Sequence, residues 1–225
     1  MIMRSKHYKE LKKQIDKTKV YPIVEAVDIL KKMARKNFDE SVEVHIRLGI
    51  DPKKGEQQVR GAVSLPHSTG KTRRIAAFTN SPEKAKQAGA TLAGGQDLID
   101  EIKKTEKTDF DVAVAEPAMM KSIAPIARIL GTRGLMPSPK TGTVNPDIEA
   151  AVKELTGGKV NFKNDDSGNV HQLVGKVSLD KGKLFDNVKA FVEAIKKIKP
   201  AGVKGEYIKG ITLCTTMGPG IKITA

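Results

Sequence analysis

The clearest pattern along the chain lies at residues 41–48, where apolar and polar side chains alternate without a break. Val42, Val44, Ile46 and Leu48 fall on one side, and Ser41, Glu43, His45 and Arg47 on the other. Successive side chains of a strand point to opposite faces, so this predicts a half-buried strand with one polar face in water. Ahead of it, residues 5–16 read as a short polar helix. Pro22 opens a second helix running to about Lys36, because the N–H that proline lacks has no partner in a first helical turn anyway. Val24, Val27, Leu30 and Ala34 form its predicted buried stripe. Residues 57–65 read as another strand.

Pro66-His67-Ser68-Thr69-Gly70 interrupts this texture and reads as a hinge. Beyond it, Ile75-Ala76-Ala77-Phe78 and Val112-Ala113-Val114-Ala115 are short apolar runs set between helical stretches near 82–88, 96–104, 117–130 and 146–155. Buried strands alternating with helices predict a small α/β unit with a largely parallel sheet. Thr156-Gly157-Gly158 reads as a return hinge. After it, residues 159–163 and 169–178 read as a hairpin around the turn-rich run Asn164-Asp165-Asp166-Ser167-Gly168. Leu184, Val188, Phe191, Ile195 and Ile198 then recur at helical spacing, and Lys199-Pro200-Ala201-Gly202 ends that helix. A last strand is expected near 206–215.

Charge changes the picture. The 225 residues carry 40 Lys and Arg against 26 Asp and Glu, a net +14, which points to a polyanionic partner. Residues 1–68 hold +6 of it, 69–159 hold +3 and 160–225 hold +5, so the two ends are basic and the middle nearly balanced. Aromatic content is 4% with no Trp, so a nucleic-acid site here cannot rest on rows of stacked rings. A membrane surface ranks low, because no long basic amphipathic helix is present. No apolar run reaches spanning length, and no apolar segment of the secretory kind follows the basic N-terminus. The single cysteine, Cys214, allows no intrachain disulfide and fits a reducing cytosol.

Catalytic chemistry finds little support. Ser68-Thr69-Gly70-Lys71-Thr72 resembles part of a phosphate-binding loop, but the required earlier glycine is replaced by Leu65. Gly94-Gly95 and Gly131-Thr132-Arg133-Gly134 lack dinucleotide-loop spacing. His7, His45, His67 and His171 have no Cys, His or acidic partner at metal-ligand spacing, so no metal site is expected. Asp165-Asp166 reads as turn chemistry, and Cys214, in an apolar strand without an assigned base, as a structural thiol. Arg133 and Lys140 read as solvated charges, though in a proline-ordered loop of the kind that often has a task.

Four stretches together resemble the bacterial ribosomal protein L-one family. They are Gly131-Thr132-Arg133-Gly134-Leu135-Met136-Pro137-Ser138-Pro139-Lys140-Thr141-Gly142-Thr143-Val144; Phe38-Asp39-Glu40-Ser41-Val42-Glu43-Val44-His45; Phe162-Lys163-Asn164-Asp165 with Gly168 and His171; and Thr215-Thr216-Met217-Gly218-Pro219. Their order and spacing match from about residue 5 to the end. Small departures are Thr132 in place of a usual Pro, Ser41 in place of Thr, and Cys214 in place of Thr or Val.

The resemblance implies an α/β protein of two domains. One is a discontinuous, basic α+β RNA-binding domain from residues 1–67 and 159–225; the other, 68–158, is an inserted Rossmann-like three-layer α/β domain. It implies a structural protein of the large ribosomal subunit, acting in the cytoplasm on the ribosome and monomeric when free, with no cofactor and no enzymatic activity. Its partners would be the stalk of the large-subunit ribosomal RNA, tRNA leaving the exit site, and the messenger RNA of its own operon, whose translation it would repress. The implied RNA contacts are Lys36, Phe38, Ser41 and Glu43 around the first strand, Lys163, Asp166, Ser167 and His171 on the hairpin, and Thr216, Met217 and Gly218 in the last loop. On residue chemistry alone, Phe38 reads as core and Thr216 and Gly218 as plain turn residues. The competing classes are a nucleotide-dependent α/β enzyme using 68–72 and the 131–144 loop, and a basic regulator that never enters ribosomes.

Overall fold

The computed structural model describes residues 5–16, 18–35 and 37–224. The chain opens with helices α1 (Lys6–Lys13) and α2 (Ile23–Met33), followed by strands β1 (Ser41–Leu48), β2 (Arg60–Ser64) and β3 (Ile75–Phe78). Next come α3 (Pro82–Gln87), β4 (Leu92–Gly94), α4 (Gln96–Thr105), β5 (Val112–Ala115), α5 (Met120–Ile123), α6 (Ala127–Thr132) and α7 (Ile148–Thr156). The chain closes with β6 (Lys159–Lys163), β7 (Asn169–Lys176), α8 (Lys181–Lys197), β8 (Ile208–Thr215) and β9 (Ile221–Ile223). This is the mixed α/β composition expected from the sequence. Contacts divide it into one compact unit of 1–70 with 161–225 and another of 71–160. Among the described residues no helix is long and apolar enough to cross a membrane.

In the first unit the strand order is β7-β1-β8-β9, all antiparallel. β1, from early in the chain, is therefore central, with late strands on both sides. Its apolar row Val42, Val44, Ile46 and Leu48 is at most 3% exposed, as alternation requires. Helices α2 and α8 pack on that side and on each other. α8 is capped by the Asp180 side chain, which accepts from the Gly182 N–H at 3.1 Å, and it ends on Lys196 and Lys197, whose charge suits the helix C-terminus. It buries Leu184, Val188, Phe191, Val192 and Ile195, each contributing about 1.5–3 kcal/mol. Asn187 lies in the same stripe at 0% exposure. Its amide accepts from the His67 N–H and donates to the His67 and Val174 carbonyls at 2.8–3.0 Å, so the segment after β2 is pinned to the helix by a satisfied buried amide.

Several expectations change here. The buried stripe of α2 is Ala26, Val27, Leu30 and Met33; Val24, in the first turn, lies off it at 58% exposure, and Ala34 is only half-buried because the helix ends before it. The strand expected at 57–65 is shortened to β2 by a 3-10 turn at Gly55–Gln57. The expected hairpin does not form a ladder. β6 pairs with β2 and β7 with β1, joined only by a bridge from Asn164 to Val170. Asn164 diverts the strand: its Oδ1 accepts from the Val59 N–H at 2.8 Å, tying it to the β2 side.

The second unit holds a parallel sheet of order β4-β3-β5. Both β3 and β5 are buried at every position. Ala76, Phe78, Ala113 and Ala115 face α4, α5 and α6, while Ile75, Ala77, Val112 and Val114 face α3 and α7. Helices cover both faces, the arrangement that crossover connections impose on a parallel sheet. The helix expected at 117–130 is broken into alternating 3-10 and α pieces; Pro125, in its interior, lacks the N–H a continuous helix needs.

Candidate nucleic-acid interface

The open side of the first unit's sheet carries three of the residues singled out from sequence, Ser41, Glu43 and His171, and others lie in the loops at its ends. β1 is its spine, eight residues that span about 24 Å. Ser41, Glu43, His45 and Arg47 lie on it in that order. Register places His171 and Asn169 of β7 beside His45 and Arg47, and Cys214, Thr212 and Gly210 of β8 beside Glu43, His45 and Arg47. Lys222 of β9 pairs with Thr212. His45, Arg47, His171, Thr212, Lys209 and Lys222 help to line a shallow hollow of about 620 Å³ on this face.

At one end, the Ser41 N–H donates to Thr216 Oγ1 at 3.0 Å and the Thr216 N–H donates back to the Ser41 carbonyl at 3.1 Å. This reciprocal pair fixes the 215–218 loop against the start of β1. Met217 is 45% exposed, and its N–H donates to Glu40 Oε2 at 3.4 Å. Glu40 is 1% exposed, and its other oxygen accepts from the Arg35 N–H at 3.1 Å. A buried carboxylate thus anchors a loop whose side chains point to solvent; sequence reading missed it. The Gly218 N–H donates to the Thr215 carbonyl at 3.2 Å, and a Cβ at 218 would lie 2.4 Å from Thr215 Oγ1, so any side chain there would have to push the Thr215 hydroxyl aside. Phe38, read from its chemistry as core, is 45% exposed. Lys36 lies outside the described residues.

At the other end, Asp165 organises the turn after β6. Its Oδ1 accepts from the Ser167 and Asn169 N–H groups at 2.9 and 2.6 Å. Burial pushes this carboxyl up, but the hydrogen bonds from Asn169, Ser167 and His171 together hold it below the usual range. Gly168 takes φ +78°, the left-handed region that favours glycine, and its carbonyl accepts from the Leu48 N–H at 2.9 Å. Lys163, Asp166 and Ser167 are left exposed on the turn. Asp165 is thus the turn residue that its sequence context predicts.

Between the ends sits a polar cluster. His45 Nδ1 is 2.7 Å from His171 Nδ1, His45 Nε2 is 2.9 Å from Cys214 Sγ, and His171 Nε2 is 3.4 Å from Asp165 Oδ2. Burial, and then the neighbouring His171, lower the His45 pKa against the pull of Glu43. Burial, and then Glu43, push the Cys214 thiol up to about 11. At neutral pH the centre is therefore a neutral thiol and imidazole, with the side chains of Glu43 and Asp165 beside it. Linear spacing shows no metal ligands, yet strand pairing brings donor atoms of Glu43, His45 and Cys214 within 4.8 Å of one another.

The second unit offers no comparable surface for phosphate. Lys71 and Thr72 lead into strand β3, not into the helix whose N-terminus a phosphate loop needs. The hollow beyond the carboxyl ends of β3 and β5, about 370 Å³, is lined by Glu116, Asp147 and Glu149 against Lys84, the wrong sign for a polyphosphate. Thr79 donates its hydroxyl hydrogen to Glu116 there. Arg133 is not a free solvated charge; it donates to the Glu106 carbonyl at 3.0 Å and to the Thr108 hydroxyl.

A model of the ribosomal protein L1p/L10e family matches residues 30–219. The chain is 50% identical over 220 residues to the large ribosomal subunit protein uL1 of Mycoplasma capricolum, covering 97% of each chain. It is 51% identical over 225 residues to the protein of that name from Kosmotoga olearia, covering 99% of this chain and 97% of the relative. The relative from Thermobifida fusca, also a large ribosomal subunit protein uL1, is 49% identical over 222 residues, covering 98% and 94%.

Proposed function

Because the chain belongs to the ribosomal protein L1p/L10e family, we propose that it holds folded ribosomal RNA on the open face of its antiparallel sheet. The family and its relatives make it a structural protein of the large ribosomal subunit rather than an enzyme. The observation that carries the RNA reading is the open face itself. One sheet, built from the two basic ends of the chain, has Thr216 and Met217 exposed beyond one end and the turn residues Asp166 and Ser167 exposed beyond the other, with Lys163 exposed at the end of the neighbouring β2–β6 pair.

The residues have complementary tasks. Lys163 and Lys222 displace counterions from phosphates, which gives affinity without sequence preference. A-form RNA hides its deep groove, so selectivity must come from shape and from the 2′-hydroxyls of the shallow groove. The Thr216 hydroxyl already accepts from Ser41, which leaves its own hydrogen free to point at a ribose or phosphate oxygen. Met217 offers an adaptable apolar contact to an exposed base or ribose. Glu43 can accept from a base amine. Phe38, exposed close to the same end in sequence, adds one ring platform.

The same face serves, in this proposal, for stalk ribosomal RNA and for a messenger RNA of the protein's own operon. The resemblance to the family supports both this and a part in releasing tRNA at the exit site. In the same proposal the RNA-binding domain comes from both chain ends, 1–67 and 159–225, with the 68–158 segment as an insert. The test is a salt titration of binding to a stalk RNA fragment and to a scrambled control. The expected result is steep weakening of both with salt, a persistent preference for the stalk fragment, and a salt slope that drops by about 1 for Lys163→Ala. Equal affinity for the two RNAs at every salt concentration would remove shape recognition from the account.

A further inference from the structure

Glu43 and His45 stand two residues apart on β1 and so share its open side. Antiparallel pairing sets Cys214 directly opposite Glu43, which brings its thiol to the same place. His45 Nε2 lies 2.9 Å from Cys214 Sγ and 3.9 Å from Glu43 Oε2. We propose that Glu43, His45 and Cys214 bind a zinc-class divalent cation, through carboxylate oxygen, imidazole Nε2 and thiolate, with a fourth position facing solvent. All three side chains are half-buried, so an ion can enter without unfolding the sheet.

A second arrangement, behind His45, supports the same assignment. If the His171 Nε2–H is given to Asp165 Oδ2, 3.4 Å away, His171 Nδ1 becomes an acceptor. It then takes the Nδ1–H of His45 across 2.7 Å. That leaves the lone pair of His45 on Nε2, directed toward Cys214 and Glu43. Metal-ligating histidines characteristically have their second nitrogen fixed in this way, by a chain ending on a carboxylate. In a tetrahedral site with Zn–N near 2.0 Å and Zn–S near 2.3 Å, nitrogen and sulfur stand roughly 3.5 Å apart, so a small separation of His45 from Cys214 admits the ion. The thiol proton, which lies between Sγ and Nε2 in the metal-free protein, leaves to solvent as the ion takes its place. Thiolate and imidazole select zinc, cobalt or a similar ion over magnesium or calcium, which favour oxygen donors throughout.

The test uses the full-length protein, chelator-treated and free of RNA, with Co²⁺ as spectroscopic probe. The expected result is a thiolate-to-cobalt charge-transfer absorption that saturates at one equivalent and is displaced by Zn²⁺. Cys214→Val, which suits a strand, and His45→Gln should each abolish it while far-UV circular dichroism shows the fold retained. His171→Gln keeps all three ligands but loses the relay, and should weaken the affinity about 10–100-fold. His67→Gln should bind as the parent does. No charge-transfer absorption in the parent, or an undiminished one in Cys214→Val, would overturn the site and leave only a thiol–imidazole hydrogen bond. The measurement contains no RNA, so its outcome is separate from that of the RNA reading.

Discussion

The two larger sheets of this protein, β7-β1-β8-β9 and β4-β3-β5, treat their faces differently. In the 71–160 unit, β3 and β5 are buried at every position and helices lie on both sides. In the unit formed by the chain ends, α2 and α8 cover one side of β1, and the other carries Ser41, Glu43, His45 and Arg47 in a row. A sheet covered on both faces commits its side chains to packing, so its chemistry is confined to strand ends and loops. A half-covered sheet presents polar side chains at regular spacing on a rigid frame, which is what recognition of a regular polymer requires. Charge follows the same division, with +6 and +5 on the segments 1–68 and 160–225 and only +3 between them.

The contrast can be broken by substitutions that should act on one side of it only. The largest effect is expected in the doubly covered sheet. Phe78, at 0% exposure, packs edge-on to Phe110 with ring centroids 6.4 Å apart. Phe78→Ala should cost about 3–5 kcal/mol of stability in urea denaturation and leave the RNA affinity of the folded protein unchanged. A loss of RNA binding at full folding would show that the two units are not separable in function. Glu40→Ala comes next. It removes the acceptor for the Arg35 and Met217 N–H groups, at about 1–3 kcal/mol for a donor left buried, and it should lower both stability and RNA affinity. Stability loss with normal RNA binding would mean that the 215–218 loop does not need its anchor. The smallest and most local change is Thr216→Val. It should cost about 1–3 kcal/mol of RNA binding, whereas Thr216→Ser, which keeps the hydroxyl, should bind nearly as the parent does. Filter binding of the three proteins to one RNA distinguishes them.

Much of this was legible in the sequence wherever local periodicity decides structure. β1 was readable to the residue because a period of two with one dry face leaves a single register. β3 and β5 were readable as short, wholly apolar runs, and α8 from the helical spacing of Leu184, Val188, Phe191 and Ile195, although Ile198 falls past its end and is only half-buried. β4 was not: Leu92-Ala93-Gly94 has no β-branched residue and is three positions long, so only its neighbour β3 makes it a strand. Turn chemistry correctly marked Asp165, but local signals cannot say which partner a strand takes, and the chain sends β6 and β7 to different sheets. The candidate site shows the same limit. Its polar row follows from alternation, whereas Glu40 carries no sign of burial in its neighbours. The approach of His45 to Cys214, 169 residues away, is set by β1 pairing with β8 and not by any spacing along the chain.

The central claim, that the half-covered sheet is the RNA grip, is tested most directly by removing the other unit. Residues 1–67 joined to 159–225 would be compared with the full chain for binding to the stalk RNA fragment across a salt series, with circular dichroism to show that the joined protein folds. The account predicts binding within about 1 kcal/mol of the full chain, roughly a fivefold difference in Kd, with the same salt slope. A folded joined protein that has lost most of its binding free energy would contradict it.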